Sequence, residues 1–431
     1  MKILKTGSRG PLVQFLQLAL ERAGYYGGGT DGIFGPATAQ AVREFQSAQG
    51  LTADGIAGSA TNAALFPWYA GYSAHTVADG DTFHALARSG GTTVRAIETA
   101  NPDIDPLNLQ IGQTVIVPFG FDVVPTTIDY SSTLIACCCR GLAARYPFIT
   151  LGEAGRSVMG KPLWTLEMGS GATRVLYNAS HHADEWITTP VLLRFAEELA
   201  RAYAFGDKIY GKSAEALLES SSLCLVPAVD PDGIDLVTGA LVSGAYYQRA
   251  QSIAAAYPAV SFPSGWKANI VGTDLNLQYP AGWEEARGIK FAQGYVSPAP
   301  RDYVGSEPLS APESRAMYEL TLSYSPALTL SYHTQGRVVY WKYLDREPQG
   351  ARAIAELFSR VSGYAVEDTP YSSGFAGYKD WFIDRFDRPG YTIEAGLGEN
   401  PLPLGDFDAI YADNLGILTL GLTAAADEAG E

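Results

Sequence analysis

The chain is poor in cysteine, in basic charge and in long apolar runs. Its 431 residues hold four cysteines, Cys137, Cys138, Cys139 and Cys224. Three of them are sequence neighbours, which excludes an ordinary disulfide framework. They also lack the Cys-x-x-Cys spacing of a structural zinc site. They read as small hydrophobes in a helix, and thiols left reduced suit a reducing compartment. Lys and Arg number 30 against 46 Asp and Glu, a formal net charge of −16. That balance argues against nucleic acid and against anionic membrane surfaces as partners. No apolar run reaches the ~18–20 residues that a membrane span needs. The first nine residues carry positive charge. The apolar segment behind them contains Gln14, Gln17 and Glu21, so it reads as an amphipathic helix and not as the core of a secretory signal. The expectation is a protein made in the cytoplasm or in a mother cell, with any export by another route.

What is present is the composition of a folded protein, 47% hydrophobic and 18% charged. The length suggests two to three domains at ~100–200 residues each. Residues 1–67 carry a near-repeat, in which Asp31-Gly32-Ile33-Phe34-Gly35-Pro36-Ala37-Thr38 returns as Asp54-Gly55-Ile56-Ala57-Gly58-Ser59-Ala60-Thr61. Each copy is a glycine-bounded turn before a helix start, with Thr or Ser able to cap. Leu12, Val13, Leu16 and Leu20 recur at helical spacing, as do Ala41, Val42, Phe45 and Ala48. A small three-helix domain is expected. With Gly10, Gln17, Gly24, Gln46 and Gly50-Leu51 it resembles the peptidoglycan-binding domain of bacterial wall hydrolases.

Phe66 to Gly71 reads as a linker into a second module at 73–119. His75-Thr76-Val77 and Val115-Ile116-Val117-Pro118 are strand-like. Between them lie two helices, Asp81 to Arg88 with Asp81 as cap, and Thr92 to Ala100 ended by Asn101-Pro102. This strand–helix–helix–strand order, with Gly80-Asp81-Thr82 and Ile111-Gly112-Gln113, resembles a LysM module. Such modules bind N-acetylglucosamine chains mostly through backbone contacts and apolar sugar faces, so no basic patch is needed. His75 and His84 fall here and read as structural or surface residues.

From 125 to 425 apolar strand-like runs alternate with amphipathic helices, the pattern of an α/β domain with a largely buried sheet. Strands are read at 174–179, 223–226, 327–332, 338–341 and 391–394, and helices at 189–204, 212–220, 310–323 and 348–362. Ligands of such sheets gather beyond the carboxyl ends of strands. His182 and Glu185 stand three apart just past the run Val175–Ala179, His333 closes Leu330-Ser331-Tyr332, and Glu394 closes Thr392-Ile393. A catalytic zinc site takes three protein ligands and keeps one open position, and His182, Glu185 and His333 would supply a His₂Glu set. A carboxylate that is not a ligand must take the proton of the attacking water, which points to Glu394. A cation must face the oxyanion, and Lys267 is the candidate, with Arg249 in reserve. Asp184, between the ligands, reads as a local structural carboxylate.

The segments His182-x-x-Glu185, Asp230-Pro231-Asp232-Gly233, Gly272-Thr273-Asp274-Leu275-Asn276, Ser331-x-His333 and Glu394 resemble, in order, the zinc carboxypeptidase family. The resemblance implies a mixed twisted sheet flanked by helices, one Zn²⁺ and peptide hydrolysis. It also implies an Arg after Asn276 that clamps a substrate's terminal carboxylate. Leu277 stands there instead and cannot make that bidentate pair. The stretches 272–285, Gly377-Tyr378-Lys379-Asp380-Trp381-Phe382 and 394–401 resemble a narrower branch, the γ-D-glutamyl-L-diamino acid endopeptidases of spore-forming bacteria. Those cut the bond from γ-D-Glu to meso-diaminopimelate in peptidoglycan stem peptides. The partners implied are glycan strands and stem peptides of spore or cell-wall peptidoglycan. Family enzymes carry a mobile loop tyrosine, which Tyr371 matches best, with Tyr378 an alternative. Asn276 is expected to stay on the substrate side, and Arg337, soon after His333, is a candidate for the carboxylate the missing Arg would bind. His181 reads either as a substrate contact or as a packed imidazole. Two other readings compete. A catalytically silent wall-binding protein is disfavoured by the retained ligands and Glu394. A cytosolic muropeptide-recycling peptidase is disfavoured by the two wall modules.

Overall fold

A computed structural model describes residues 2–424. By contacts the chain divides into two units, Met1–Thr150 and Leu151–Glu431.

The first unit begins with helices Pro11–Arg22, Pro36–Ala48 and Ser59–Ala64. The sequence repeat is a repeat of one hydrogen-bond network. Gln17 Nε2 donates to Asp31 Oδ1 at 2.7 Å and to Thr38 Oγ1 at 3.1 Å, while Gly32 N donates to Gln17 Oε1 at 2.9 Å. Gln46 does the same to Asp54 at 2.9 Å and Thr61 at 3.0 Å, and receives Gly55 N at 2.9 Å. Thr38 and Thr61 therefore serve the buried glutamines and do not cap. The N-cap positions are Gly35 and Gly58, with no side-chain cap. The expected linker is in fact a short helix, Phe66–Ala70, ended by Gly71 in the left-handed conformation. Its aromatic residues explain this. Tyr69 is buried with its ring 4.5 Å from that of Phe15, its hydroxyl bonds Asn62 Oδ1 at 3.0 Å, and Trp68 lies edge-on to Phe45.

Strands β1 (Tyr72–Thr76) and β2 (Thr114–Pro118) pair antiparallel around helices Phe83–Ser89 and Val94–Ala100. The core is Val77, Phe83, Leu86, Ile97, Val115 and Val117. The first helix is capped by Thr82, which accepts from Ala85 N, and not by Asp81. Asp81 is engaged elsewhere, with His75 Nε2 and Ala78 N, each at 2.7 Å. Asn101 does more than stop the second helix. Its side chain bonds Ile97 O and both backbone groups of Ile116, tying helix end to strand. Helix Ser132–Arg145, capped by Ser131, buries Cys137, Cys138 and Cys139 as the small apolar residues expected. Cys224 is buried too, and none of the four is in a disulfide.

The second unit is built on an eight-stranded mixed sheet. Its strands are β3 (Thr150–Arg156), β4 (Pro162–Met168), β5 (Thr173–Ala179), β8 (Ser221–Val226), β9 (Leu328–His333), β10 (Val338–Tyr340), β11 (Ala365–Glu367) and β12 (Gly390–Glu394). A separate two-residue hairpin, β6 (Lys208–Ile209) and β7 (Lys212–Ser213), precedes helix Ala214–Ser220. The spatial order is β11-β10-β12-β9-β5-β8-β4-β3. The four central strands β12, β9, β5 and β8 run parallel, so their carboxyl ends share one edge. Every residue of β9 is buried, polar Thr329, Ser331 and His333 included, because a central parallel strand is covered on both faces. Covering helices include Thr188–Phe205, Pro312–Tyr324, Ala351–Ser362, Tyr378–Phe386 and Phe407–Leu420. Strands β3, β4 and β11 were not read from sequence. They lie toward the sheet's edges, and β3 and β11 have no buried residue to betray them.

Candidate metal centre

At the carboxyl edge of the sheet, β5 ends at Ala179 and the chain turns at Ser180, whose φ is 53°. That left-handed turn is held by Thr188, whose hydroxyl receives Ser180 N at 3.2 Å. A single 3₁₀ turn, Ala183–Glu185, then brings Glu185 under His182. Ala183 N donates to the Lys267 carbonyl at 3.1 Å, so this turn and the Lys267 segment are fastened together. His333 is the last residue of β9 and Glu394 the last of β12, and the two are direct register partners.

His182, Glu185 and His333 meet. His182 Nδ1 lies 3.0 Å from Glu185 Oε1, His333 Nδ1 lies 2.8 Å from Glu185 Oε2, and the two Nδ1 atoms are 3.1 Å apart. All three residues are buried. Two imidazole nitrogens and a carboxylate thus converge on one point. That donor set suits a divalent cation of borderline softness such as zinc, held by three ligands with one position open. The other nitrogen of His182, Nε2, lies 3.1 Å from Asp274 Oδ1. A carboxylate there fixes the tautomer that leaves Nδ1 for the metal. Asp274 is held in turn by Asp302 N on its second oxygen. Sequence reading did not assign this role, although the Gly272-Thr273-Asp274 segment carries it. Gly272, at φ 86°, is required there, because a Cβ would come within 2.9 Å of Ala299 N.

The electrostatics are tightly linked. Burial works against a charged His182, but the Glu185 carboxylate prevails and raises it to about 9. Burial pulls His333 down. Burial disfavours the Glu185 charge, yet His182, Lys267 and His333 hold its carboxyl well below the ordinary range. Lys267 Nζ lies 3.6 Å from Glu185 Oε1, and despite burial the carboxylates of Glu185, Asp274 and Asp184 keep it protonated. Burial first, then the Glu185 charge, push Glu394 up to about 8.

The cleft has two lobes that share Lys267, Tyr340 and Glu394. One, of about 230 Å³, is lined by His182, His333, Asn276 and Leu277, with Lys290, Asp302, Lys379 and Asp380 in its wall. The other, of about 560 Å³, continues past Glu394 to Arg301, Ser261, Glu399 and Asn400. Asn276 stands at the first lobe, its Oδ1 receiving Tyr378 N at 2.9 Å.

The structure brings together His182, Glu185, His333, Glu394, Lys267 and Asn276. The remaining substrate candidates lie elsewhere. His181 is fully buried behind the centre, on Tyr279 OH at 2.9 Å, with its ring stacked on His333. Arg337 reaches Asp413 at 3.3 Å and the ring of Tyr364, away from both lobes. Tyr371 is 65% exposed and bonds Glu285 at 3.0 Å. Tyr378 is in the core, on Thr321. The reserve cation Arg249 is exposed on helix Ala245–Ala254 and lines neither lobe. What the sequence reading missed is the set of charged residues in the lobes. No spacing rule points to Lys290, Arg301, Asp302, Lys379 or Asp380 as one set, because two helices, Trp283–Ala292 and Tyr378–Phe386, and the segment at 301–302 assemble them from three places in the chain.

Comparison with known proteins agrees with this geometry. The family profile described as zinc carboxypeptidase matches residues 135–414. A peptidoglycan binding domain profile matches 9–65 and a LysM domain profile 75–118. Gamma-D-glutamyl-L-diamino acid endopeptidase 1 of Lysinibacillus sphaericus is 42% identical over 294 residues, 68% of this chain and 72% of that protein. Zinc D-Ala-D-Ala carboxypeptidase of Streptomyces albus G is 56% identical over 62 residues, 14% of this chain and 24% of that protein. Among solved structures, bovine thrombin-activatable fibrinolysis inhibitor, in complex with tick carboxypeptidase inhibitor, superposes with a TM-score of 0.54 at 18% identity. That match covers 69% of this chain and 98% of that one, and it shows the fold.

Proposed function

This chain belongs to the zinc carboxypeptidase family, and from that premise we propose that it hydrolyses the amide bond between γ-D-glutamate and meso-diaminopimelate in peptidoglycan stem peptides. The observation that carries the reading is Leu277. It lies in the cleft at the position after Asn276, where a carboxypeptidase of the family would place an Arg for a terminal carboxylate, and the cleft runs on in a second lobe past Glu394. Zinc held by His182, Glu185 and His333 would supply Lewis acidity at the scissile carbonyl and would lower the pKa of the attacking water. Glu394 takes that water's proton and passes it to the leaving amine. Burial, and after it the Glu185 charge, raises its pKa, which suits the donation; a cation held by Glu185 would offset the second of these and favour the acceptance. Lys267, kept protonated by its carboxylate neighbours, faces the oxyanion. Asn276, fixed by Tyr378 N, offers its amide to substrate.

The peptidoglycan-binding and LysM modules raise the local concentration of the peptidase on its polymer. We assign glycan strands to these modules and stem peptides to the cleft, with the work done on spore or cell-wall peptidoglycan. The division into 1–67, 73–119 and 125–425 is proposed on the same grounds. Among the described residues no helix is long and apolar enough to cross a membrane. Mass spectrometry of defined muropeptides after digestion tests the reaction. Fragments beginning at diaminopimelate are expected, and release of a single carboxy-terminal residue would overturn the assignment.

A further inference from the structure

Two lysine–aspartate pairs stand in the wall of the Leu277 lobe. Lys290 Nζ lies 2.6 Å from Asp302 Oδ1, and Lys379 Nζ lies 2.6 Å from Asp380 Oδ1. The first pair is already committed to structure. Asp302 takes Arg301 Nε on its other oxygen at 2.8 Å, and its own amide, at φ 65°, holds Asp274.

The second pair is built differently. Lys379 and Asp380 are each 4% exposed and sit in the first turn of helix Tyr378–Phe386. Lys379 Nζ also donates to the Lys342 carbonyl at 2.6 Å, which fixes its position. The Asp380 carboxylate turns toward the front of the helix. A Cβ on Gly377 would stand 2.7 Å from Asp380 Oδ2 and 3.6 Å from Asn276 Oδ1, so this carboxylate lies beside the proposed substrate amide. An ion pair taken out of water earns little stability, since apolar residues of similar volume do as well. Side by side in a cavity wall, however, opposite charges match a ligand group that bears both charges on one carbon.

We propose that Lys379 and Asp380 read the side-chain end of the leaving residue, its carboxylate on Lys379 and its ammonium on Asp380. They thereby select diaminopimelate over lysine. The inference rests on the γ-D-glutamyl endopeptidase reading and gives that site its specificity. A lysine side chain brings an ammonium for Asp380 but offers Lys379 a like charge and no anion. An apolar side chain offers neither member of the pair a partner.

The test uses the full zinc-loaded chain and three peptides: L-Ala-γ-D-Glu ending in meso-diaminopimelate, in the same residue with its side-chain carboxylate amidated, and in L-lysine. The wild type is expected to favour the first over the other two by about 10- to 100-fold in kcat/KM, the range of one charge-assisted hydrogen bond. In Lys379→Met the diaminopimelate-to-lysine ratio falls by that same factor. In Asp380→Asn, a nearly isosteric change, kcat/KM falls for the diaminopimelate and lysine peptides alike. Zinc content and the thermal midpoint report whether each variant folds. Should Lys379→Met fail to fold, the amidated peptide on the wild type makes the same measurement. Equal kcat/KM on all three peptides, with the γ-D-glutamyl bond still cut, would sink the inference and leave the functional reading standing. Hydrolysis of none of them would overturn that reading, and the inference with it.

Discussion

Two kinds of polar cluster in this molecule differ in what completes them. Around Gln17, and again around Gln46, the side-chain amide has donors and acceptors matched by an aspartate, a threonine and backbone groups. Around Glu185, two imidazole nitrogens and a carboxylate crowd together at 2.8–3.1 Å. The first kind of cluster is complete as it stands. The second is stable only with a cation among its ligand atoms, or with protons it must share. A polar network that closes on itself holds a loop, whereas one that converges on a point is organised for something outside the chain.

The contrast can be broken at its open end first. Glu394→Gln is expected to keep zinc, measured by metal analysis, and to lose on the order of 1,000-fold in kcat on a stem peptide. A variant of near wild-type activity would place the base elsewhere. The closed clusters should respond in the opposite way. Gln17→Ala or Gln46→Ala leaves a buried threonine and a glycine amide unmet, while the exposed Asp31 or Asp54 turns to water, and is expected to cost about 1–3 kcal/mol of first-unit stability, read by denaturant unfolding. Turnover of a small soluble peptide should not change.

A third cluster sharpens the comparison, because burial there works against the charge that its own hydrogen bonds favour. Burial raises Glu313 to about 7, although Val158 N and Asn269 Nδ2 both donate to it. Its folded pKa lies above the ordinary value of 4.5. Its contribution is therefore fully present below about pH 4.5 and is lost as pH rises through about 7. Stability measured across that window should fall by up to about 3 kcal/mol, and Glu313→Gln should flatten the slope.

The same contrast explains what the sequence disclosed. The ligand triad and Glu394 were legible because each closes or follows a buried strand, and strand order and direction do the rest. The two module types were legible from short-range turn and helix signals. The duplicated glutamine network was hidden by loop length. Gln17 precedes its aspartate by 14 residues and Gln46 by 8, so the turns align and their partners do not. The Phe66–Ala70 helix was missed because Pro67 and Gly71 resemble a linker, while the decisive contacts come from Phe15, Phe45 and Asn62. Arg337 was drawn toward the site by its nearness to His333 in sequence. The backbone at φ 54° turns its side chain to Asp413.

Glu394 and His333 face each other on neighbouring strands, at a separation fixed by the backbone ladder and not by a loop. The residues proposed to hold the substrate belong to other segments, the Asn276 turn and the first turn of helix Tyr378–Phe386. Heating should therefore erode grip before chemistry. KM should drift upward over a range where kcat still climbs, and the chemical step should fail only when the sheet itself melts.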